Sequence, residues 1–352
     1  MIRCRTCVMP NSRPDTPFDS TGQCQACINY ANRPAIDWAA RRRQLELLLE
    51  ERGRNGSGFT CIVPSSGGKD SHYQVLKLIE LGAKPLVVTA STCHLTKIGR
   101  MNIDNLARYA TTVEITPNRK TRAALNRIGL ETVGDISWPE HVSIFTTPFR
   151  AAAAWGIPLI FYGENPQDQY GGPRGSETAM QMTRRWRSEF GGFLGLRVDD
   201  VEAMGYDMTD YKMPPEGDVE AHFLGHYLPW DSHQNARVAK NAGMVQVLPS
   251  SANWWEHENL DNAQTGLHDY MMWLKYGYGR ACAQASVDVR TGRITREQAM
   301  SVVEQRDGQL PQVYMGVDLD EILKPISVTR AQLVATMDQF TNHTLHEKLA
   351  AA

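Results

Sequence analysis

The segment that most constrains the fold is an apolar run followed by a loop of small residues and then a helical pattern, residues 59–82. The apolar run at 59–63 lies between a glycine and a proline, which predicts a buried strand. Apolar residues then recur at helical spacing as far as Gly82, where a helix would stop. We call the segment between them the glycine loop, Ser65-Ser66-Gly67-Gly68-Lys69-Asp70-Ser71. A helix N-terminus offers free N–H groups and glycines allow close backbone approach, so this segment predicts a phosphate-binding loop.

The glycine loop differs from a Walker A loop. That pattern has a second glycine five residues before the Gly of Gly-Lys, and a Ser or Thr directly after the Lys. Val63 and Asp70 occupy those positions here. Lys69 adds a compact positive charge, and the neighbouring serines add hydroxyl groups. A plain Gly-Ser turn between strand and helix is the disfavoured alternative, because the flanking elements match a nucleotide site.

Two cysteine pairs near the start of the chain have the spacing of a metal site. Cys4 and Cys7 form one C-x-x-C pair, and Cys24 and Cys27 form a second. Each pair can place two thiolates on a tight turn, and four thiolates complete a tetrahedron around Zn²⁺. Four protein ligands leave no open position, so the spacing predicts a structural zinc site. Coincidental cysteine turns and a redox pair are the weaker alternatives, since no strand precedes either pair.

The composition limits the class of protein. The 352 residues, 42% of them hydrophobic and 22% charged, suit one large or two modest globular domains. The formal net charge of −2 gives no general attraction to nucleic acid. There is no apolar run of membrane-spanning length and no signal-peptide pattern. Since four of the seven cysteines have metal-type spacing, we expect a reducing compartment and a cytoplasmic protein, with no nucleic-acid partner and no membrane span.

Four apolar runs alternate with helical patterns along the first half of the chain. These predicted strands are residues 59–63, 84–90, 111–115 and 157–162. The alternation predicts an α/β fold with a parallel sheet and with ligands at the carboxyl ends of the strands. The expected division is a zinc-binding module at 1–33, a linker helix within 34–58, an α/β domain at 59–235 and a mostly helical C-terminal region at 236–352.

Polar residues follow the predicted strands at the expected ligand edge. After the fourth strand, Gly163 leads into Glu164 and Asp168, with three amide side chains among them. Carboxylates and amides are unfavourable in a hydrophobic core, and in such a loop they suit binding of Mg²⁺ or of a polar substrate. Residues 91–97, after the second strand, suit a ligand-binding loop and an ordinary loop equally well. Residues 227–233 form another polar and aromatic cluster, which suits either a sugar pocket or a lid or subunit contact.

Two of these motifs resemble a known family. The segment from Ser66 to Ser71 resembles the SGGxDS loop of the PP-loop ATP pyrophosphatases, which grips the pyrophosphate of ATP. The cysteine head resembles that of the N-acetyl sugar amidotransferases, a subgroup that joins such a head to an SGGKDS loop. The matching residues are Cys4-Arg5-Thr6-Cys7-Val8-Met9-Pro10, Arg13-Pro14, Phe18-Asp19, Gly22-Gln23-Cys24-Gln25-Ala26-Cys27-Ile28-Asn29-Tyr30 and Ile36-Asp37-Trp38. The resemblance covers the first 110 residues and is weak beyond about residue 170.

The resemblance implies an adenine nucleotide alpha hydrolase-like domain and a specific reaction. ATP, with Mg²⁺, would adenylate the acetamido oxygen of an N-acetyl sugar, and ammonia would displace AMP to give an acetamidino sugar for surface polysaccharide. Lys69 would stabilise phosphate charge, Asp70 would orient Mg²⁺ or the loop, and Glu164 or Asp168 would bind metal or substrate. The implied nucleotide-binding positions are Ser65, Ser66, Gly67, Gly68, Lys69, Asp70, Ser71, Thr89 and Gly163.

The resemblance also implies partners. The sugar is expected to be nucleotide-linked, and a homo-oligomer is compatible with the sequence. Cys61, Cys93 and Cys282 do not lie in a nucleophile elbow, so the sequence has no recognisable glutaminase. Ammonia is therefore expected from a separate glutaminase subunit, with a cyclase-like channel subunit as a further candidate.

Two alternatives remain. The first is a tRNA-thiolating PP-loop enzyme, which the near-neutral charge and the isolated core cysteines disfavour. The second is a zinc-ribbon binding module with a degenerate nucleotide domain, which the complete set of polar groups in the glycine loop disfavours.

Overall fold

A computed structural model of the chain describes residues 2–12, 17–163, 179–183, 191–215 and 217–350. Its centre is a sheet of five parallel strands in the order β3-β2-β1-β4-β5. The strands are β1 Cys61–Pro64, β2 Pro85–Ala90, β3 Thr111–Ile115, β4 Leu159–Tyr162 and β5 Glu220–Phe223. The predicted parallel sheet and its four strands are confirmed. β5 was not predicted, because it is only four residues long and lies within a segment rich in glycine and proline.

Helices cover both faces of the sheet and form most of the C-terminal part. In chain order they are α1 Gln25–Ala31, α2 Trp38–Arg52, α3 Lys69–Glu80, α4 Lys97–Leu106, α5 Arg119–Val133, α6 Trp138–Trp155, α7 Val198–Ala203, α8 Ser232–Asn241, α9 Thr265–Tyr276, α10 Arg280–Arg290, α11 Arg296–Arg306, α12 Leu319–Leu323, α13 Arg330–Phe340 and α14 His343–Ala350. A short antiparallel hairpin joins β6 Val313–Tyr314 to β7 Val317–Asp318.

The alternation of side chains along β1 explains the two layers of helices. Val63 packs on one face with α2 and α3, where Leu45 and Leu78 are fully buried. Ile62 points to the opposite face and packs with Phe149 of α6. Successive residues of a strand face opposite sides, so a strand covered on both faces must be apolar throughout. Burying each such side chain contributes about 1.5–3 kcal/mol, which makes this sandwich the rigid support of the glycine loop.

The cysteine-rich N-terminal segment packs on the C-terminal helices. Cys4, Cys7, Cys24 and Cys27 share one buried cluster with residues of α10 and α11. Arg296 of α11 donates from Nε to the backbone carbonyls of Cys4 and Cys7, at 3.1 and 3.2 Å. The N-terminal segment is therefore joined to the C-terminal region at α10 and α11. The expected division into domains stays a prediction.

None of the helices in the described ranges combines the length and the apolar character needed to cross a bilayer.

Candidate active site

The glycine loop connects β1 to the first turn of α3, as predicted. Gly67 has a φ of +79°, and a Cβ at that position would come within 2.8 Å of the backbone nitrogen of Ile103 in α4. Glycine is therefore required there by both conformation and space. Gly68 is the N-cap residue of α3 and supplies no side-chain cap. The side chain of Ser65 accepts a hydrogen bond from Gly67 N at 3.0 Å, which holds the turn in shape.

Lys69 is buried and is held between two carboxylates. Its side chain is 5% exposed, and Nζ lies 2.6 Å from Oδ2 of Asp70 and 2.8 Å from Oε1 of Glu258. Asn235 of α8 donates to the other oxygen of Asp70 at 3.0 Å. Gln284 of α10 donates to the other oxygen of Glu258 at 3.2 Å. Each of the two carboxylates is thus fixed on both oxygens, so the ammonium group has one defined position.

The charge of Lys69 determines the protonation of Glu258. Burial by itself raises the pKa of this carboxyl, but the adjacent ammonium group outweighs it and lowers the pKa to about 2. Glu258 is therefore ionised at neutral pH although its side chain is only 14% exposed.

A cavity of about 220 Å³ lies in front of the glycine loop. Residues 257–261 form its opposite wall together with Arg280, whose guanidinium makes a two-point ion pair with Asp269 at 2.6 and 3.0 Å. Asp261 also lines the cavity, and burial raises its pKa to about 6. The complete lining is Ser66, Gly67, Gly68, Lys69, Asp70, Ser71, Gly99, Asn102, His257, Glu258, Asn259, Leu260, Asp261 and Arg280.

The wall at 257–261 is attached to the end of β2. Thr96, the N-cap residue of α4, donates from its hydroxyl to the carbonyl of Leu260 and from its backbone N–H to the carbonyl of Asp261, the latter at 2.9 Å. Leu95 and Asn262 form an isolated antiparallel bridge. The carboxyl edge of the sheet therefore positions both sides of the cavity, as expected for a parallel α/β sheet.

His257 adds an imidazole to the carboxylates and the guanidinium of this wall. Burial lowers its pKa to about 4, so its imidazole is neutral at physiological pH. Its Nε2 is buried and makes no hydrogen bond to the part of the chain that the structure describes. The ring stacks on Trp255 and contacts His233, whose Nε2 lies 2.9 Å from Oδ1 of Asp288. A neutral imidazole at a cavity wall can accept or relay a proton.

The charged side chains that line the cavity limit which ligands can bind there. Lys69 and Arg280 face Asp70, Glu258 and Asp261, and each cation is already paired with a carboxylate. A polyphosphate alone would meet these carboxylates at short range. Carboxylate oxygens are the preferred protein ligands of Mg²⁺, which would convert that repulsion into attraction. The residues present thus fit a magnesium-bound nucleotide.

The structure brings together some of the predicted site residues and not others. The glycine-loop residues from Ser66 to Ser71 all line the cavity. Thr89 is buried near the end of β2, and its Oγ1 makes no hydrogen bond among the described residues. Gly163 directly follows β4, and a Cβ there would approach Trp230 to 3.0 Å. Glu164 and Asp168 lie outside the described residues, so their role stays a prediction.

Sequence reasoning missed the contribution of Glu258, Asp261 and Arg280. They follow the glycine loop by well over 150 positions and sit in an aromatic-rich stretch of the region expected only to be mostly helical. The available signal was the polar run that starts at His257 and interrupts these aromatic residues. No local pattern assigns such a run to a loop so distant in the chain.

The four predicted metal-ligating cysteines come together as a second site. Their sulfur atoms are buried and lie within 4.8 Å of one another, with Cys4 Sγ 3.9 Å from Cys27 Sγ and Cys7 Sγ 3.7 Å from Cys24 Sγ. Tetrahedral Zn²⁺ with bonds of about 2.3 Å separates its sulfur ligands by about 3.8 Å. The donor set therefore fits zinc. Arg290 of α10 lies with Nη1 3.9 Å from Cys7 Sγ, where its charge offsets that of the thiolates.

Comparison with known protein families finds a match for one region of the chain. Residues 250–349 match the family model described as "LPS biosynthesis protein WbpG-like, C-terminal domain". This match supports an LPS-related biosynthetic family, and a family of biosynthesis proteins suggests an enzyme. No curated protein matches the chain. The matched region contains Glu258, Asp261 and Arg280, which form the wall opposite the glycine loop.

Proposed function

We propose that this protein is an ATP-dependent N-acetyl sugar amidotransferase of the PP-loop type, which forms an acetamidino sugar for lipopolysaccharide. The contact between Lys69 and Glu258 is the observation that carries the proposal. It joins a loop with the residue types of a PP-loop to a region that matches an LPS biosynthesis domain. A nucleotide loop and a polysaccharide-related region that share one cavity support ATP-driven chemistry on a sugar.

ATP would bind with its phosphates against the glycine loop. The N–H groups at the start of α3 are free of a side-chain cap and carry the positive end of the helix dipole. Lys69 would move from its carboxylate partners to the phosphates, and Asp70 and Glu258 would hold Mg²⁺. The metal supplies charge neutralisation for the leaving pyrophosphate. Arg280 would face the remaining phosphate charge from the opposite wall.

The proposed reaction has two steps. The acetamido oxygen attacks the α-phosphorus of ATP, the bond to the β-phosphate oxygen breaks, and pyrophosphate leaves. Ammonia then attacks the activated carbon, the bond from that carbon to the AMP oxygen breaks, and the product is an acetamidinium group that keeps the added proton. Fixed donors around the phosphate are worth most when they match the transition-state charge. The N–H groups at the start of α3 would supply such fixed donors, and Lys69 would add its charge once it has turned to the phosphates.

The three remaining cysteines support an external ammonia source. Burial raises the pKa of Cys61 and of Cys282, and it raises that of Cys93 to about 12. A glutaminase nucleophile needs a lowered thiol pKa, which is the opposite shift. This supports a separate glutaminase subunit, with a channel subunit to deliver ammonia. The cysteine cluster is proposed to hold Zn²⁺ in a structural role, because four ligands leave no open position.

The decisive experiment supplies all reactants at once. Purified protein is incubated with ATP, Mg²⁺, ammonium and a panel of nucleotide-linked N-acetyl sugars, and sugar masses are read by mass spectrometry. We expect one sugar to show the mass change for exchange of a carbonyl oxygen for an NH group, with equal amounts of AMP and pyrophosphate. Pyrophosphate release that requires tRNA, with every sugar unchanged, would instead identify a tRNA-modifying enzyme and refute the proposal.

A further inference from the structure

A second group of metal-ligand residues lies outside the cavity and the cysteine cluster. Asp135 lies in the connection between α5 and α6, His141 lies near the start of α6, and His268 lies near the start of α9. One ligand atom from each of these side chains can be chosen so that all three lie within 4.8 Å of one another. We propose that these three residues form a second metal site, for a divalent transition metal such as Zn²⁺, independent of the proposed reaction.

One of the two nitrogen–oxygen distances in this group equals the distance between two ligands of one metal. His268 Nδ1 lies 2.7 Å from Asp135 Oδ1, which is hydrogen-bonding distance. His141 Nδ1 lies 3.3 Å from Asp135 Oδ2, yet it is buried and makes no hydrogen bond within the described ranges. Two ligands of one tetrahedral Zn²⁺, with bonds of about 2.0–2.1 Å, are separated by about 3.3 Å. The distance between His141 and the carboxylate therefore suits two ligands of one metal, as it also suits an ion pair.

Gly192 brings no side chain next to this ring nitrogen. Gly192 lies over His141, and a Cβ at that position would come within 3.0 Å of Nδ1. Any side chain at 192 would fill the space next to the ligand atom. The two imidazole rings stand nearly perpendicular, at 79° with centroids 5.3 Å apart, so both can present Nδ1 to one point without stacking.

The number of ligands leaves one coordination position open. Asp135 is 2% exposed, whereas His141 is 26% and His268 is 21% exposed. Three protein ligands leave a fourth position of a tetrahedral metal for water or an exchangeable ligand. The cysteine cluster is fully enclosed and has no such position.

The ligand types select the class of metal. Two imidazole nitrogens and one carboxylate suit Zn²⁺, Co²⁺ or Ni²⁺, whereas Mg²⁺ and Ca²⁺ prefer oxygen ligands throughout. A bound ion would fasten α9 of the C-terminal region to α6 of the sheet layer. The residue after His268 is Asp269, which holds Arg280 at the cavity wall, so this ion would also stabilise that wall.

Cobalt provides the direct test. Protein whose cysteine cluster is first filled with Zn²⁺ is titrated with Co²⁺, and visible absorption is recorded. We expect one further equivalent of Co²⁺ to bind with d–d bands and without the charge-transfer band of a cobalt thiolate. His141→Gln and His268→Gln should each weaken this binding by at least about tenfold. His343→Gln, on an exposed histidine of α14, is the matched control and should bind Co²⁺ like the unaltered protein.

A structural measurement makes the test independent of whether the variants fold. Anomalous diffraction at the cobalt edge, on crystals of the unaltered protein, should show one peak bonded to His141, His268 and Asp135. Absence of that peak, or Co²⁺ binding that is unchanged in the folded variants, would overturn the proposal and leave Asp135 as a plain ion-pair partner of two histidines.

Discussion

Lys69 Nζ and Glu258 Oε1 lie 2.8 Å apart although 189 positions separate the two residues in the chain. The first belongs to the glycine loop and the second to the region matched by the LPS biosynthesis domain. Because Asp70 contacts the same ammonium group, one buried cation joins the two halves of the cavity. Changes at any of these three residues should therefore affect stability and activity together, and a double substitution can separate the two effects.

Lys69→Met should abolish most of the activity. It removes the cation expected to face the phosphates, so pyrophosphate release should fall by about 10²–10³-fold. It also leaves Glu258 and the half-buried Asp70 without their shared partner, which should lower the free energy of unfolding by about 3–5 kcal/mol. Pyrophosphate assays and urea unfolding measure the two effects. Lys77→Met, on a more exposed lysine of the same helix, is the control and should change neither quantity much.

The double variant Lys69→Met/Glu258→Gln distinguishes catalysis from folding. Removing the second carboxylate charge relieves the repulsion that the single variant creates, so part of the lost stability should return. Activity should stay low, because no cation has been restored. If Lys69→Met alone kept full pyrophosphate release, the proposed role of this lysine would be wrong.

Glu258→Gln should change how stability depends on pH. The folded-state pKa of about 2 lies below the usual 4.5, so ionised Glu258 stabilises the folded protein above pH 4.5, and this contribution is lost as the pH falls towards 2. The upper limit of the contribution is about 3 kcal/mol, from about 1.4 kcal/mol per pKa unit. The difference in unfolding free energy between the two proteins should therefore be largest near neutral pH and shrink in acid.

Urea unfolding at several pH values checks this. Glu256→Gln, on an exposed glutamate two residues away, is the matched control and should give a small difference at every pH. A Glu258→Gln difference that stayed constant or grew as the pH fell from 4.5 towards 2 would contradict the assignment of the ion pair.

Local patterns in the sequence predicted the parts of this structure that depend on neighbouring residues. β1, the glycine loop and α3 follow one another within twenty residues, so periodicity and turn chemistry are enough to place them. The cysteine cluster could be predicted from the sequence because ligand spacing is itself a local signal. The wall at 257–261 could not be predicted, since nothing in its own sequence specifies a partner in a loop so distant in the chain.

The same reasoning explains what was missed elsewhere. β5 has only four residues, too few for its alternation to stand out, and it becomes a strand by pairing its backbone with β4. The group formed by Asp135, His141 and His268 escaped attention because its members are spread over two helices and a connection. Tertiary contacts, not propensity, create both features.

Gly99→Ala should disturb the cavity by displacing its opposite wall. A Cβ on this residue of α4 would come within 2.6 Å of Asp261 Cα and 3.0 Å of its carbonyl oxygen. Backbone atoms cannot swing aside as a flexible side chain does, so the wall at 257–261 must move away. We expect a loss of about 1–3 kcal/mol in unfolding free energy, together with slower pyrophosphate release. Gly217→Ala is the control, because its nearest neighbour is 4.0 Å away.

Cys7→Ser should remove zinc and loosen the contact between the N-terminal segment and helices α10 and α11. The cysteine cluster packs on α10 and α11, so metal loss should lower the unfolding temperature and not only release a disordered tail. Zinc content by elemental analysis and thermal unfolding test this. Cys93→Ser is the control, since Cys93 lies apart from the cluster and hydrogen bonds to Asn126. Equal zinc content in Cys7→Ser and the unaltered protein would contradict a four-cysteine site.

Arg290→Gln should weaken zinc binding without removing a ligand. Four thiolates and one Zn²⁺ leave a net charge of −2, and the guanidinium at 3.9 Å from Cys7 Sγ offsets part of it in a buried setting. Loss of a charge partner beside metal ligands typically weakens metal affinity by about 10–100-fold, which competition with a chromogenic chelator can measure. Arg43→Gln, on an exposed arginine of α2, should leave the affinity unchanged. Unchanged affinity in Arg290→Gln would show that backbone N–H groups near the sulfurs, such as Cys24 N at 3.2 Å from Cys4 Sγ, are sufficient to stabilise the charge.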